Sequence, residues 1–225
     1  MAKYFLLFEK GESVRWLGHL DILRTLERAI RRAALPIAFS AGFNPREKLA
    51  FSPALSVGIT GANEIMIVEL TEEVAPDAIL DKLNAALPPG IRFHTCDILE
   101  ANDLREKLSL CDRGEYKVSC LIAKETPFAD IENAITRFMA QETIIVVREK
   151  EGRKKEVNLR PNIYALATTL EDYSPDGRCA VTMIVGQGES GTAKPAEVIA
   201  ALAQELPELC LRRAQRVRLI QKTVL

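Results

Sequence analysis

The side chains in this sequence that could do chemistry are mostly cations, gathered in three places. Arg24, Arg28, Arg31 and Arg32 recur at helical spacing, Arg46 and Lys48 sit two apart in a glycine- and proline-rich stretch, and Arg212, Arg213, Arg216, Arg218 and Lys222 close the chain with no acid from Leu211 onward. Guanidinium and ammonium groups bind phosphate through charge-assisted hydrogen bonds, and phosphate binding releases counterions, so Arg24, Arg28, Arg31, Arg46, Lys48, Arg212, Arg216 and Arg218 are the candidate RNA-binding residues. The competing readings are a solvated helix face for the first group and protection of a strand edge by like charges for the last. His19 has no second histidine nearby in sequence to complete a triad or a metal site, and it is read as a hydrogen-bonded structural residue. No catalytic residue, metal ligand set or cofactor is expected.

The stretch that must position the central cations runs from Ser40 to Gly61. It holds Gly42, Gly58 and Gly61, Pro45 and Pro53, and Phe43 and Phe51 around Arg46 and Lys48. Glycine admits positive φ, and proline fixes φ and removes a donor, so a defined irregular path between two strands is expected. Gly42, Phe43, Asn44, Pro45 and Gly58 are its structural residues. A purely structural turn needs no charge, which favours a binding role for this connection.

The elements around it alternate. Tyr4–Phe8 reads as a buried strand, and His19–Leu35 as an amphipathic helix with Gly18 as cap and Asp21 in the first turn. Its apolar face is Ile22, Leu23, Leu26, Ala29, Ile30, Ala33 and Ala34, and the arginines oppose it. Pro36 ends it, and Ile37–Phe39 begins a strand that enters the connection. Glu64–Leu70 is a strand, Pro76–Leu87 a helix, and Ile91–Leu99 a strand. This order predicts a ferredoxin-like βαββαβ unit, an antiparallel sheet with both helices on one face.

The second half repeats the plan. Residues 101–114 are polar and read as a linker, helical in part, between a domain at 1–100 and another at 115–225. Strands are expected at Tyr116–Ala123, Thr143–Arg148, Arg178–Val185 and Cys210–Gln221, with helices at Pro127–Met139 and Pro195–Leu206. A charged hairpin tip at residues 149–155 is an insertion, and Arg160 with Pro161 ends a strand in a short helical turn. On the last strand, alternation puts Arg212, Arg216, Arg218 and Lys222 on one exposed side and Val217 and Leu219 on the other. Gly186-Gln-Gly-Glu-Ser-Gly carries Glu189 and lacks the lysine of a phosphate-binding P-loop, so it is a turn.

Composition sets outer bounds. The 225 residues carry 30 basic and 31 acidic side chains, which excludes a histone-like polycation and leaves local patches open. The five cysteines are widely spaced with no Cys-x-x-Cys pair, so no disulfide framework, structural zinc or iron-sulfur cluster is expected. Cys96, Cys120 and Cys179 read as small core residues. With no leader pattern and no apolar run of about 20 residues, a cytoplasmic protein without membrane contact is expected.

Four segments together carry a resemblance: Arg15-Trp-Leu-Gly-His-Leu-Asp, Glu27-Arg-Ala-Ile-Arg-Arg-Ala, Gly42-Phe-Asn-Pro-Arg-Glu-Lys and Leu55-Ser-Val-Gly. With the later Asn158-Leu-Arg-Pro, they resemble the DUF2344 family, the radical SAM-linked proteins. The family pattern has serine where this chain has Gly18 and aspartate where it has Asn158. Members occur free-standing or fused behind a radical S-adenosylmethionine domain. The resemblance implies an accessory module that serves such a partner and does not itself hold the cluster, since no Cys-x-x-x-Cys-x-x-Cys motif is present. The alternatives are a protein-docking module without nucleic-acid contact and an RNA-processing enzyme that uses His19.

Overall fold

A computed structural model of the chain describes residues 1–99, 111–188 and 191–221; the expected linker at 101–110 and Lys222 lie outside them. Mixed α+β structure is present as expected, with mostly antiparallel strands and four α-helices among the described residues. The chain divides into two compact units, one up to Cys111 together with Gln221, the other Asp112–Ile220.

The first unit comprises β1 (Ala2–Lys10), α1 (His19–Arg32), β2 (Leu49–Phe51), β3 (Thr60–Leu70), α2 (Pro76–Ala86) and β4 (Ile91–Leu99). Its strands run in the order β4-β1-β3-β2 with antiparallel pairing, Tyr4 opposite Val68 and Leu49 also opposite Val68. Alternate residues of β1 (Tyr4, Leu6, Phe8) and β3 (Met66, Val68, Leu70) form one core with Ile22, Leu26 and Ile30 of α1 and Ile79 and Leu83 of α2. Period 2 in the strands and period 3.6 in the helices thus meet at a single apolar layer.

Gly18 is the N-cap of α1 in extended conformation, and Asp21 lies in the first turn. The helix stops at Arg32 rather than Leu35. Ala34 takes φ +50°, which turns the chain toward Pro36 and leaves Ala34 exposed rather than on the apolar face. Ile37–Phe39 does not form a strand and makes only single bridges, Ile37 to Leu70 and Phe39 to Glu47. The short edge strand of this unit is β2, inside the glycine-rich connection.

The second unit comprises β5 (Cys111–Leu121), α3 (Phe128–Ala140), β6 (Ile145–Lys150), β7 (Arg153–Asn158), β8 (Ile163–Ala167), β9 (Arg178–Gly186), α4 (Pro195–Leu202) and β10 (Cys210–Gln221). Its strands run β10-β5-β9-β8, and β6-β7 form a separate hairpin whose strands take in Glu149, Lys150 and Arg153–Lys155, so the charged tip expected at 149–155 narrows to Glu151 and Gly152. Three details differ from expectation: residues 111–114 are strand rather than linker, α4 ends four residues early, and β8 has no counterpart in the expected elements. Arg160 and Pro161 form the expected short helical turn at Arg160–Asn162. Asn158 Oδ1 accepts from the N–H groups of Ile144 and Arg160 at 2.9 and 3.1 Å, so an amide oxygen holds this turn without a charge. Arg160 donates to the carbonyls of Ile163 and Met139, both at 3.0 Å.

Cys96, Cys111, Cys120 and Cys179 are buried, Cys210 is exposed, and all five are free thiols. Burial pushes the Cys96 thiol up to about 12, with help from the charge of Asp97, so it stays protonated and inert. No helix among the described residues is long and apolar enough to cross a membrane.

Two outcomes are expected from this packing. Asn84 on α2 donates to Phe93 O and accepts from Phe93 N, each at 2.9 Å, and ties α2 to β4. Asn84→Ala leaves both backbone groups without these bonds and lowers stability by about 1–3 kcal/mol in urea denaturation. In the second unit Arg148 makes a bidentate pair with Glu197 at 2.8 and 2.7 Å. Burial raises the Glu197 carboxyl, but hydrogen bonds from Arg148 and from Lys194 N–H outweigh it and hold the value below the ordinary one. A depressed folded value contributes stability that is complete above the ordinary glutamate pKa of about 4.3 and is lost as pH falls through the lower folded value. Arg148→Met therefore lowers the melting temperature at neutral pH, and the gap to the parent closes in acid.

Candidate nucleic-acid interface

The connection after α1 folds as a finger. Lys48 N donates to Ala38 O at 2.9 Å and Ser40 N to Arg46 O at 2.8 Å, while Ser40 Oγ accepts from Arg46 N at 2.9 Å. Residues 41–45 form the tip. Gly42 takes φ +125° with open space around it, and Asn44 and Pro45 are exposed. The ring of Phe43 is fully exposed at 107% and Phe39 on the flank is 52% exposed. The Phe43 ring therefore contributes nothing to the core of the unit.

Two ion pairs brace the base of the finger. Arg31 Nε on α1 donates to Glu47 Oε1 at 2.7 Å, and Lys48 Nζ donates to Glu69 Oε1 on β3 at 2.8 Å. The hydrogen bond to Glu47 and its charge raise the Arg31 pKa. Backbone bonds reinforce the second pair: Ala38 N donates to Glu69 O at 2.8 Å and Glu69 N to Lys48 O at 3.1 Å.

These pairs sort the expected binding residues of the first unit. Arg24 and Arg28 are exposed on α1, and Arg28 Nη2 donates to Thr25 Oγ1 at 3.3 Å. Arg32 donates to Ala86 O at the end of α2 at 2.6 Å. Arg31 and Lys48 hold acids and are braces in the free protein. Arg46 is exposed and has no acid partner among the described residues. Beside it lies an open groove of about 500 Å³ whose lining includes Lys3, Arg46, Glu47, Lys48, Ile67 and Glu69.

The last strand belongs to the second unit and is not one basic face. Arg216 is a correction: it is fully buried at 0% exposure, and its Nη1 donates to Gln187 Oε1 at 2.7 Å. Gln187 in turn donates to the Tyr116 hydroxyl. The side of β10 expected to face solvent carries buried Ala214 and Arg216 between exposed Arg212 and Arg218. Arg218 pairs with Glu115 at 2.6 Å, and Arg212 is exposed.

His19 belongs to a second constellation. It is half-buried and lines a cavity of about 20 Å³ with Lys10, Ser52 and Glu64, space for a single water. Lys10 and Glu64 are 3% and 4% exposed. Lys10 Nζ donates to the carbonyls of Arg15 and Leu17, both at 3.0 Å, and Glu64 Oε2 accepts from Ser52 Oγ at 3.2 Å. This charge work fixes the Trp16 turn and the 52–58 loop. Gly58 at φ +85° donates to Arg15 O at 2.9 Å, and a Cβ there would lie 3.1 Å from the Trp16 ring. The cavity is too small for a substrate. Sequence reasoning missed Glu47, Glu69, Lys10 and Glu64; the one available signal was the acid between two cations in Arg46-Glu47-Lys48.

The mixed α+β architecture has counterparts among solved structures. The chain is similar to a chain of an H/ACA RNP bound to a substrate RNA containing 2'-deoxyuridine, with TM-score 0.51 and 9% identity over 96% of this chain and 47% of that one. A chain of a Cbf5-Nop10-Gar1 complex gives TM-score 0.51 and 9% identity, over 97% and 48%. This chain spans about half the length of those chains, and the likeness shows the fold alone. No curated protein matches it in sequence. The family is defined by sequence: residues 3–195 match DUF2344, described as "Uncharacterized protein conserved in bacteria", and the chain belongs to that family.

The finger separates conformational from binding residues. Gly42→Ala forces a side chain onto φ +125° and is expected to destabilise by about 1 kcal/mol or more. Arg46→Ala removes only an exposed charge and stays within about 0.5 kcal/mol of the parent. Chemical denaturation of the two variants beside the parent checks both.

Proposed function

We propose that this chain is a non-catalytic accessory module that binds structured RNA, tRNA or rRNA, for a radical S-adenosylmethionine enzyme in the cytoplasm. One observation carries the RNA reading: the finger tip presents a fully exposed Phe43 close in sequence to Arg46, a cation without an acid partner among the described residues, on a base braced by two ion pairs. Aromatic rings that stack on bases and cations that meet phosphates are the two components of single-strand recognition. Arg24 and Arg28 on α1 extend the cationic surface of the same unit. The strand orders β4-β1-β3-β2 and β10-β5-β9-β8 support a reading of each unit as a ferredoxin-like repeat, with boundaries near residues 1–100 and 115–225. RNA in the H/ACA RNP belongs to that particle and lends support only through the shared fold. The radical partner rests on the resemblance of the sequence motifs to radical SAM-linked proteins.

Titration against total tRNA at several salt concentrations tests the reading. Arg46→Ala weakens binding and makes the slope of log affinity against log salt shallower by about 1 unit. Phe43→Ala weakens binding by about 1–3 kcal/mol with the slope unchanged, because stacking releases no counterion. Lys48→Ala changes the slope by less than Arg46→Ala, since Lys48 is held by Glu69. Folded variants that bind tRNA with the parent's affinity and slope overturn the RNA reading, and the finger is then a protein-docking element.

A further inference from the structure

The β6–β7 hairpin of the second unit sorts its charges by face. Glu151 at φ +53° and Gly152 at φ +75° make its two-residue turn, and a turn with both residues at positive φ fixes the register of the strands it joins. In that register Arg148 stands opposite Lys155, and Lys150 opposite Arg153. Alternate residues share a face, so Arg148, Arg153 and Lys155 lie on one side of the ribbon, and Glu149, Lys154 and Glu156 lie on the other. Glu151 is exposed in the turn itself.

Like charges directly opposite one another destabilise an antiparallel pair. Arg148 is held: it makes the bidentate pair with Glu197 and donates to Thr192 O at 2.6 Å. Arg153 and Lys155 are exposed, and neither makes an ion pair among the described residues. The acids of the two strands do not serve them, because Glu149 stands opposite Lys154 and Glu156 opposite Val147 on the other face. An anionic partner on the cationic face relieves this repulsion. The two strands form a sheet of their own, so no further strand covers the β7 edge beside these cations among the described residues.

We infer that this face of the hairpin is a second phosphate contact of the bound RNA, with Arg153 and Lys155 meeting successive phosphates and the Arg148–Glu197 pair anchoring the ribbon. The inference deepens the RNA reading and rests on it for the identity of the polyanion. Residues two apart on a strand are spaced by about 6.8 Å, a distance that neighbouring phosphates of an extended strand match. Towards the turn the face offers charge and no aromatic ring, so it tracks the backbone and positions the RNA without reading its sequence.

Lys154 and Lys155 supply a matched control, since either change to glutamine removes one charge from adjacent positions on opposite faces. Total tRNA is titrated at several salt concentrations. Arg153→Gln with Lys155→Gln weakens binding and makes the slope of log affinity against log salt shallower by about 1–2 units. Lys155→Gln alone changes the slope more than Lys154→Gln does. Equal effects of the two lysine variants mean that only net charge matters, and they overturn the site. On the parent protein, oligouridine shifts the backbone amide resonances of residues 153–156; this arm needs no variant. Polyglutamate that shifts these amides where oligouridine does not makes the partner an acidic protein and overturns the proposal. If the double variant binds tRNA with the parent's affinity and slope, the hairpin site falls and the RNA reading stands. If the hairpin variants lose binding while Phe43→Ala and Arg46→Ala keep it, the hairpin site stands and the finger is not the RNA contact. A parent protein that binds neither tRNA nor oligouridine overturns both.

Discussion

The first unit depends on how the finger is rooted. Arg31 reaches Glu47 from α1, and Lys48 reaches Glu69 on β3, so the loop is held from a helix and from a strand at once. Exposed ion pairs usually contribute about 0–1 kcal/mol each, and neither pair would order a loop alone. The Lys48–Glu69 pair is flanked by backbone hydrogen bonds, Ala38 to Glu69 and Lys48 to Ala38, which already set the geometry in which its charges meet. The side-chain entropy of ordering is thereby shared among several contacts. Near-neutral net charge follows the same logic. Arg31, Arg32 and Lys48 each face an acid or a carbonyl, while Arg24, Arg28 and Arg46 are exposed.

Much of the fold was legible because apolar periodicity is a property of the sequence alone. Pro76 at the start of α2, the β-branched run from Ile145 to Val147, and the limits of β10 all carry local signals that tertiary context did not override. The failures fall where local signals are weak. β8 is five residues, Ile163–Ala167, and its pairing with β9 rather than its own pattern makes it a strand. β2 is three residues inside a stretch dominated by glycine and proline, and its partner Met66–Val68 supplies the order. The end of α1 was misplaced because Ala33 and Ala34 are good helix formers, yet Pro36 disfavours helical backbone just before it and Leu35 turns back into the core.

The candidate site was legible as a place but not as a set of roles. Density of glycine, proline and charge located the finger, and Gly42 does hold the positive φ that such a tip requires. Which cation is paired cannot be read from a one-dimensional pattern, because Glu69 is distant in sequence from Lys48 and Glu47 is distant from Arg31. Arg216 shows the limit most plainly. Alternation on β10 correctly groups Arg212, Ala214, Arg216 and Arg218 on one side, but a period of two does not say which side faces the core. Arg216 lies inside, where its Nη1 meets Gln187 Oε1, whereas Arg218, which also has a distant partner in Glu115, stays exposed.

The buried charges of the two units then follow one rule. Lys10 is 3% exposed and points its ammonium at two carbonyls of the Arg15–Leu17 turn, and Arg216 points its guanidinium at a glutamine amide that also holds Tyr116. In each case a cation is taken from water where irregular backbone or a polar turn would otherwise lack donors, so the cost of burial is offset by groups that also needed a partner. A cation placed this way fixes a loop and has no free valence for a ligand. On the finger the guanidinium of Arg46 and the ring of Phe43 are exposed, and Arg46 has no acid partner among the described residues. Phe43 and Arg46 are three residues apart with Pro45 between them, so the exposed ring and the exposed guanidinium are gathered at the tip of one short loop whose base the ion pairs hold.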